Sequence, residues 1–280
     1  MSRAKHAPGV AAGILVIAVG LSVRFPITSV SPLLADIAQA YHLSAPGISV
    51  LSAIPVLLFG LASPLAPLLV SRLGLERAIT VLLAALALAT LLRPLSAPTL
   101  FIGTIIVGAT IALLGILAPQ IIRHALPRRG GFWTGIYTTS FGVSAAAGAA
   151  VSVPLFHLLD DQVGAALAAW GIPLLIALGL VIGFAPRLGL GLSAGPQRGG
   201  APAESILRAR GLWAVTGFFG CQALIYFSLT AWLPTIAVDR GMEPGHAGLL
   251  LAWLSVAGLP ASLLAPTLAA QLLIAVPVII

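Results

Sequence analysis

The chain has 280 residues, 59% of them hydrophobic and only 8% charged, with a formal net charge of +7. A soluble domain carries about a quarter charged residues, so this composition excludes a water-soluble globular protein and describes a polytopic membrane protein. The basic excess does not indicate nucleic-acid binding, because the basic residues fall in short connections between apolar runs rather than on one face.

The basic start MSRAKHAPG ahead of an apolar stretch has the layout of a secretory signal. That reading fails because the apolar run continues well past about 15 residues, holds an arginine and lacks a small-x-small cleavage site after its core. The first predicted span instead covers about residues 9–35. A membrane helix needs ~20 mostly apolar residues. Arg24 lies near the middle of this run, roughly 16–22 Å from either end at the helical rise per residue. A central arginine costs at least about 2.5–3.5 kcal/mol on insertion scales, and it is too deep for easy snorkelling. Arg24 therefore faces a watery cavity or an anionic partner, or it is bonded to backbone carbonyls freed by Pro26. Pro26 removes a backbone donor and predicts a kink. Thr28 and Ser31 follow at i+4 and i+7, on the helical face of Arg24.

The second span is expected at about 47–70 after the polar turn Tyr41–Ser44, the third at about 78–95, the fourth at about 99–122, the fifth at about 132–158 and the sixth at about 164–186. In the fifth, Tyr137, Ser140 and Ser144 share a face. Tyr137 is a candidate for lining a cavity, the two serines fit helix packing, and Gly142 and Gly148 permit close helix contact. The outer pair Asp160-Asp161 reads as a solvated turn. A segment from 187 to 210, rich in Gly, Pro, Ser and Arg, reads as a flexible linker. The seventh span, about 211–236, carries Gln222, Tyr226 and Thr230 at i, i+4 and i+8 on one face. Gln222 and Tyr226 either line a cavity or act as glue between helices, worth about 0.6 kcal/mol on average. Trp213 and Trp232 fit interface anchors. The eighth span is about 247–270. The remaining tail, QLLIAVPVII, is apolar but too short to cross a bilayer, so the chain is expected to be cut short.

Loop charges orient these spans. Arg3 and Lys5, Arg72 and Arg77, Arg123, Arg128 and Arg129, and the linker arginines fall on one side. The other side has only Arg93 and Arg240, among Asp36, Asp160, Asp161, Asp239 and Glu243. The positive-inside rule puts the N-terminus and the linker in the cytoplasm. No span interior holds Asp or Glu, so proton coupling through a buried carboxylate is not expected from these spans. The one cysteine, Cys221, lies in an apolar run and leaves no disulfide framework or multi-cysteine metal site. Neither a phosphate-binding glycine loop nor a nucleophile–base arrangement supports catalysis.

An internal repeat is also visible. Aligning Leu43 with Met242 pairs Leu51 with Leu250, Ala53 with Ala252, and Leu65-Ala66-Pro67 with Leu264-Ala265-Pro266. Spans one and two thus resemble spans seven and eight in the same topology, as in the parallel six-span halves of major facilitator transporters.

On these residues the chain resembles a bacterial major facilitator superfamily transporter of the cyanate and 2-nitroimidazole transporter group, over residues 9–270. Arg24-Phe25-Pro26 is similar to the family's Asn-Leu-Arg-Pro stretch, with Val23 and Phe25 departing from it. Pro127-Arg128-Arg129 followed by Thr134 to Thr138 is similar to the family's connection between spans four and five, and Trp170 fits. The most specific group is Gln222 with Trp232-Leu233-Pro234, Asp239-Arg240-Gly241 and Ala247 to Leu250. In the 2–3 connection Arg72, Gly74 and Arg77 fit the superfamily signature. Pro67, Ser71 and Leu75 stand where a glycine, an aspartate and an arginine belong, and Gly115 replaces an expected asparagine.

The resemblance implies an all-α integral membrane protein of the major facilitator fold, truncated to about eight transmembrane helices. Residues 1–186 would form a six-helix N-terminal bundle, 187–210 a cytoplasmic linker and 211–280 an incomplete C-terminal bundle. It implies a multi-pass protein of a bacterial inner (plasma) membrane, not an enzyme. The expected activity is secondary transport of a small anionic or polar solute, cyanate-like or a small organic anion, by alternating access. Arg24, Thr28, Tyr137, Gln222 and Tyr226 would contact that solute. Efflux of small organic compounds, or a non-transporting truncated fragment, are the alternatives. The expected partners are the solute and the lipid bilayer, with no cofactor, no metal and no nucleic acid; the oligomeric state is left open.

Overall fold

The computed structural model describes residues 7–188, 210–265 and 268. The expected linker, apart from its ends, and the tail 271–280 lie outside the described residues. Among the described residues there are α-helices and 3-10 turns and no strand. Seven helices are long and apolar enough to cross a membrane; they become eight spans when Ala45–Leu61 and Leu65–Leu73, bent by 66°, count as one.

The first span, Gly9–Ala40, is interrupted. It consists of α1 (Ala7–Ser22), α2 (Phe25–Thr28), a 3-10 turn (Ser31–Leu33) and α3 (Leu34–Ala40). The cause of the first break is chemical: Pro26 has no N–H to give to the carbonyl of Ser22, so the ladder stops at Ser22. The N–H groups of Arg24 and Phe25, left without helical partners, both donate to Ser144 Oγ, at 3.2 and 2.9 Å. Ser144 belongs to α8 (Gly130–Leu158). The break is further clamped by Trp170, whose ring stacks on Phe25 at 5.0 Å between centroids and whose Nε1–H donates to Ser152 Oγ at 3.2 Å. Only glycine fits opposite it, because a Cβ on Gly148 would lie 2.9 Å from the Cα of Phe25.

The second span is α4 (Ala45–Leu61) with α5 (Leu65–Leu73), and the third and fourth are built on α6 (Leu75–Leu92) and α7 (Ala97–Ala125). Ser96 caps α7 in a reciprocal pair with Thr99, which satisfies two orphan N–H groups. The sixth span is α9 (Val163–Ala169) continued by α10 (Gly171–Phe184). Leu15, Leu83, Leu86, Ile111, Leu114 and Leu174 meet in one fully buried core drawn from these spans. The opposite faces carry exposed Leu57, Leu88, Ile102 and Ile176, as lipid-facing surfaces do.

The seventh span is α11 (Arg210–Asp239), and the eighth starts with α12 (Pro244–Ala257). The eighth packs on α8 through small residues. A Cβ on Gly248 would lie 2.7 Å from the carbonyl oxygen of Ala149, one on Gly135 2.7 Å from that of Leu263, and one on Gly142 would run into the side chain of Leu259.

The backbone repeats as the sequence does. Leu43 N–H donates to the carbonyl of Ala38 at 2.8 Å, and Met242 N–H to that of Ala237 at 3.0 Å. His42 donates to Gln39 and Gly241 to Val238 at 3.3 and 2.8 Å, with His42 at φ 52° and Gly241 at φ 90°. Each is a Schellman turn ending a helix. The two turns superpose under the alignment of Leu43 with Met242, and the next helices start at the matched residues Ala45 and Pro244.

The span ends also sort by side. Gly9, Gly13, His124, Arg128, Arg129 and Trp133 line one cavity, which brings the start of the first span to the 4–5 connection. At the other end the Tyr41 hydroxyl donates to the carbonyl of Pro94 at 2.6 Å, joining the 1–2 and 3–4 connections. Burial pushes the Tyr41 phenol above its usual range, and the nearby Arg93 charge acts the other way.

Candidate functional site

A cavity of about 490 Å³ opens between the first span, α8, α11 and the eighth span. Arg24 projects into it from the broken backbone, facing Gln222 and Tyr226 on α11 and Thr138 and Phe141 on α8. The guanidinium carbon lies 4.9 Å from the ring centre of Tyr226, 5.2 Å from Phe227, 5.5 Å from Phe141 and 5.9 Å from Phe59. Ring faces attract a cation by about 0.5–2 kcal/mol depending on desolvation. They do not use up its N–H donors. Nη1 of Arg24 is buried without a hydrogen-bond partner. The ion pairs His157–Asp161 and His246–Glu243 lie elsewhere and do not involve Arg24. The arrangement is a cation held by aromatic faces with donors left over, which suits a planar or small anion taken by a guanidinium fork. Gln222 adds an amide with both donor and acceptor groups one helical turn from Tyr226.

Three of the five expected contact residues, Arg24, Gln222 and Tyr226, line this cavity. Thr28 and Tyr137 do not. Thr28 is 1% exposed, donates to the carbonyl of Arg24 at 3.2 Å and packs against Gly148. Thr28 stays one helical turn from Arg24, its N–H on the Arg24 carbonyl at 3.1 Å, but its short side chain meets α8 rather than the cavity. Tyr137 is buried behind the cavity, where its hydroxyl reaches the carbonyl of Leu114 at 3.4 Å. Its ring meets Phe141 edge-on at 4.5 Å, so it props a ring that does line the cavity.

Ser31 and Thr230 have a different task. Pro234 cannot donate to the carbonyl of Thr230. The Ser31 hydroxyl replaces that donor, at 2.6 Å from the Thr230 oxygen and 2.7 Å from that of Ala231. The first span therefore closes a backbone defect in the seventh.

Sequence reading missed the aromatic wall. Phe141 is i+4 from Tyr137 and Phe227 adjoins Tyr226, but phenylalanine in an apolar run carries no signal against its background. It also missed the burial of Arg93. The residue stands in the turn between the third and fourth spans, as expected, yet it is 1% exposed, and its Nη1–H donates to the carbonyl of Pro26 at 3.0 Å.

Apolar spans gathered around a cavity into which an arginine projects define a multi-pass membrane protein. Residues 13–280 match the family model described as Major Facilitator Superfamily, and the chain belongs to that superfamily. It is 34% identical over 255 residues to the uncharacterized transporter YycB of Bacillus subtilis, covering 91% of this chain and 62% of that protein. It is 34% identical over 262 residues to the 2-nitroimidazole transporter of Escherichia coli, covering 91% and 64%. To the cyanate transport protein CynX of Escherichia coli it is 24% identical over 258 residues, covering 91% and 66%. These relatives agree with the group that the motifs resemble. The chain spans just under two thirds of the length of each.

Proposed function

We propose that this protein is a secondary transporter that moves a small anionic or polar solute across a bacterial inner membrane by alternating access. The observation that carries the reading is Arg24, held at the centre of the first span by Ser144, surrounded by four rings and left with a buried free donor. Arg24 attracts the anion, while Gln222 and Tyr226 bind it from the other side of the cavity. Thr28 and Tyr137 support the site from behind. In this proposal residues 1–186 are the first rocking body, 187–210 the cytoplasmic linker and 211–280 the portion of the second body that this chain holds. The N-terminus is cytoplasmic, as the arginine-rich connections at its end of the molecule support. No step calls for a catalytic group or a cofactor.

A second reading, efflux of small organic compounds, draws on one further observation. Three aromatic rings and about 490 Å³ give a site within the size range of organic-ligand pockets, larger than a triatomic anion needs. The names of the relatives supply probes for both. The test is equilibrium binding of radiolabelled cyanate and 2-nitroimidazole to the purified 280-residue chain in nanodiscs. Saturable cyanate binding, displaced by other small anions, is the expected result. Binding of 2-nitroimidazole alone favours the efflux reading, and binding of neither probe nor any competing small anion contradicts both.

A further inference from the structure

Arg93 is the one fully buried arginine among the described residues, and the cavity it borders is not the one that holds Arg24. Its Nη1 is bonded to the carbonyl of Pro26, while Nε and Nη2 are buried with no hydrogen-bond partner. Thr230 Oγ1 is likewise buried without a partner. Both residues line one small cavity of about 50 Å³, whose other walls are mostly apolar, Ile27, Leu51, Pro55 and Val107 among them. No Asp or Glu lines it. A buried charge answered by one backbone carbonyl is poorly compensated, and such charges are normally paired and fully hydrogen-bonded.

We propose that Arg93 and Thr230 form a second binding site, selective for a small inorganic anion of halide size. The guanidinium offers N–H groups on Nε and Nη2 and the threonine one O–H, all buried and unpartnered beside one cavity with no competing carboxylate. A water occupies about 10–15 Å³ on this measure, so the cavity takes one small anion or a few waters and rejects a ring-sized solute. Phe227 borders this cavity and the Arg24 cavity alike, and the broken first span joins the two arginines, since Arg93 bonds Pro26 two residues after Arg24. An anion at Arg93 occupies a waypoint between the larger cavity and the end of the molecule where Tyr41 meets Pro94. The proposal does not depend on the solute assigned to the Arg24 cavity.

The test titrates sodium bromide against sodium gluconate at constant ionic strength and follows the melting midpoint of the purified 280-residue chain in nanodiscs. The parent is expected to show a saturable bromide-specific rise, and Arg24→Gln, which empties the larger cavity of small anions, is expected to keep the part owed to Arg93. Arg93→Gln in that Arg24→Gln background should abolish what remains. Because that substitution also removes the bond to Pro26, Thr230→Val is the deciding variant. It keeps the shape, loses only the hydroxyl and should raise the half-saturating concentration roughly tenfold or more. Bromide behaving like gluconate in the parent would overturn the proposal. So would a rise lost in Arg24→Gln, or a half-saturation left unchanged by Thr230→Val.

Discussion

Ser144 shows how much of the site rests on single hydroxyls. Its oxygen accepts from two backbone N–H groups at the break that carries Arg24. Ser144→Ala leaves both buried in apolar surroundings, and a buried donor without a partner costs about 1–3 kcal/mol. We expect a clear drop in the melting midpoint, together with weaker solute binding because Arg24 loses its fixed origin; an unchanged midpoint would contradict this role. Polar residues in apolar runs are conspicuous, so the position of Arg24, Gln222 and Tyr226 on a cavity was legible from sequence. Thr28 keeps its expected phase one turn from Arg24, but its short side chain is covered by α8 at Gly148 and does not reach the cavity. Arg93 misled for the opposite reason: Pro94 and Ser96 mark a connection, but the side chain runs back into the protein to reach Pro26. Phe59, Phe141 and Phe227 gave no signal, since their role is visible only once three separate spans are brought around one guanidinium.

At the scale of elements, the broken first span is held against α8 by close contact rather than by a large apolar surface. Gly148 is the point of contact. Gly148→Val puts two methyl groups where a Cβ already lies too near Phe25. Overpacking of this kind costs about 1–3 kcal/mol, and here it also displaces the backbone that carries Arg24. The expected outcome is loss of both thermal stability and solute binding, whereas Gly183→Val, with open space at its Cβ, changes neither. Unaltered stability in Gly148→Val would contradict the close-packing account. The helical spans and the glycine contacts were readable because apolar run length and small-residue spacing are local properties. The precise hand-off of hydrogen bonds between elements, Ser144 to the first span and Ser31 to the seventh, was not, since it depends on which helices become neighbours. The repeat lies between these cases: the alignment pointed to it, and the paired Schellman turns display it in the backbone. Gly241→Ala tests that turn, and a residue forced into the left-handed region is expected to cost about 1–2 kcal/mol, read as a lower melting midpoint.

For the molecule as a whole, orientation follows from charge. In a Cys221→Ser background, a cysteine at position 160, in the exposed turn after α8, should react with an impermeant thiol reagent added to intact cells, and one at position 193 should not. Labelling of position 193 from outside would invert the topology. The central claim is that the cavity between the first span and α11 binds a small anion through Arg24. The direct measurement is cyanate affinity in the parent, Arg24→Lys and Arg24→Gln, each checked for its melting midpoint. A planar fork predicts partial recovery by lysine, whose ammonium is a point charge. Glutamine should lose about 1.5–3 kcal/mol of binding, the range for hydrogen bonds to charged groups, while the protein stays folded because no ion pair is broken. Unchanged cyanate affinity in a folded Arg24→Gln protein would contradict the account and leave Arg24 as a packing residue.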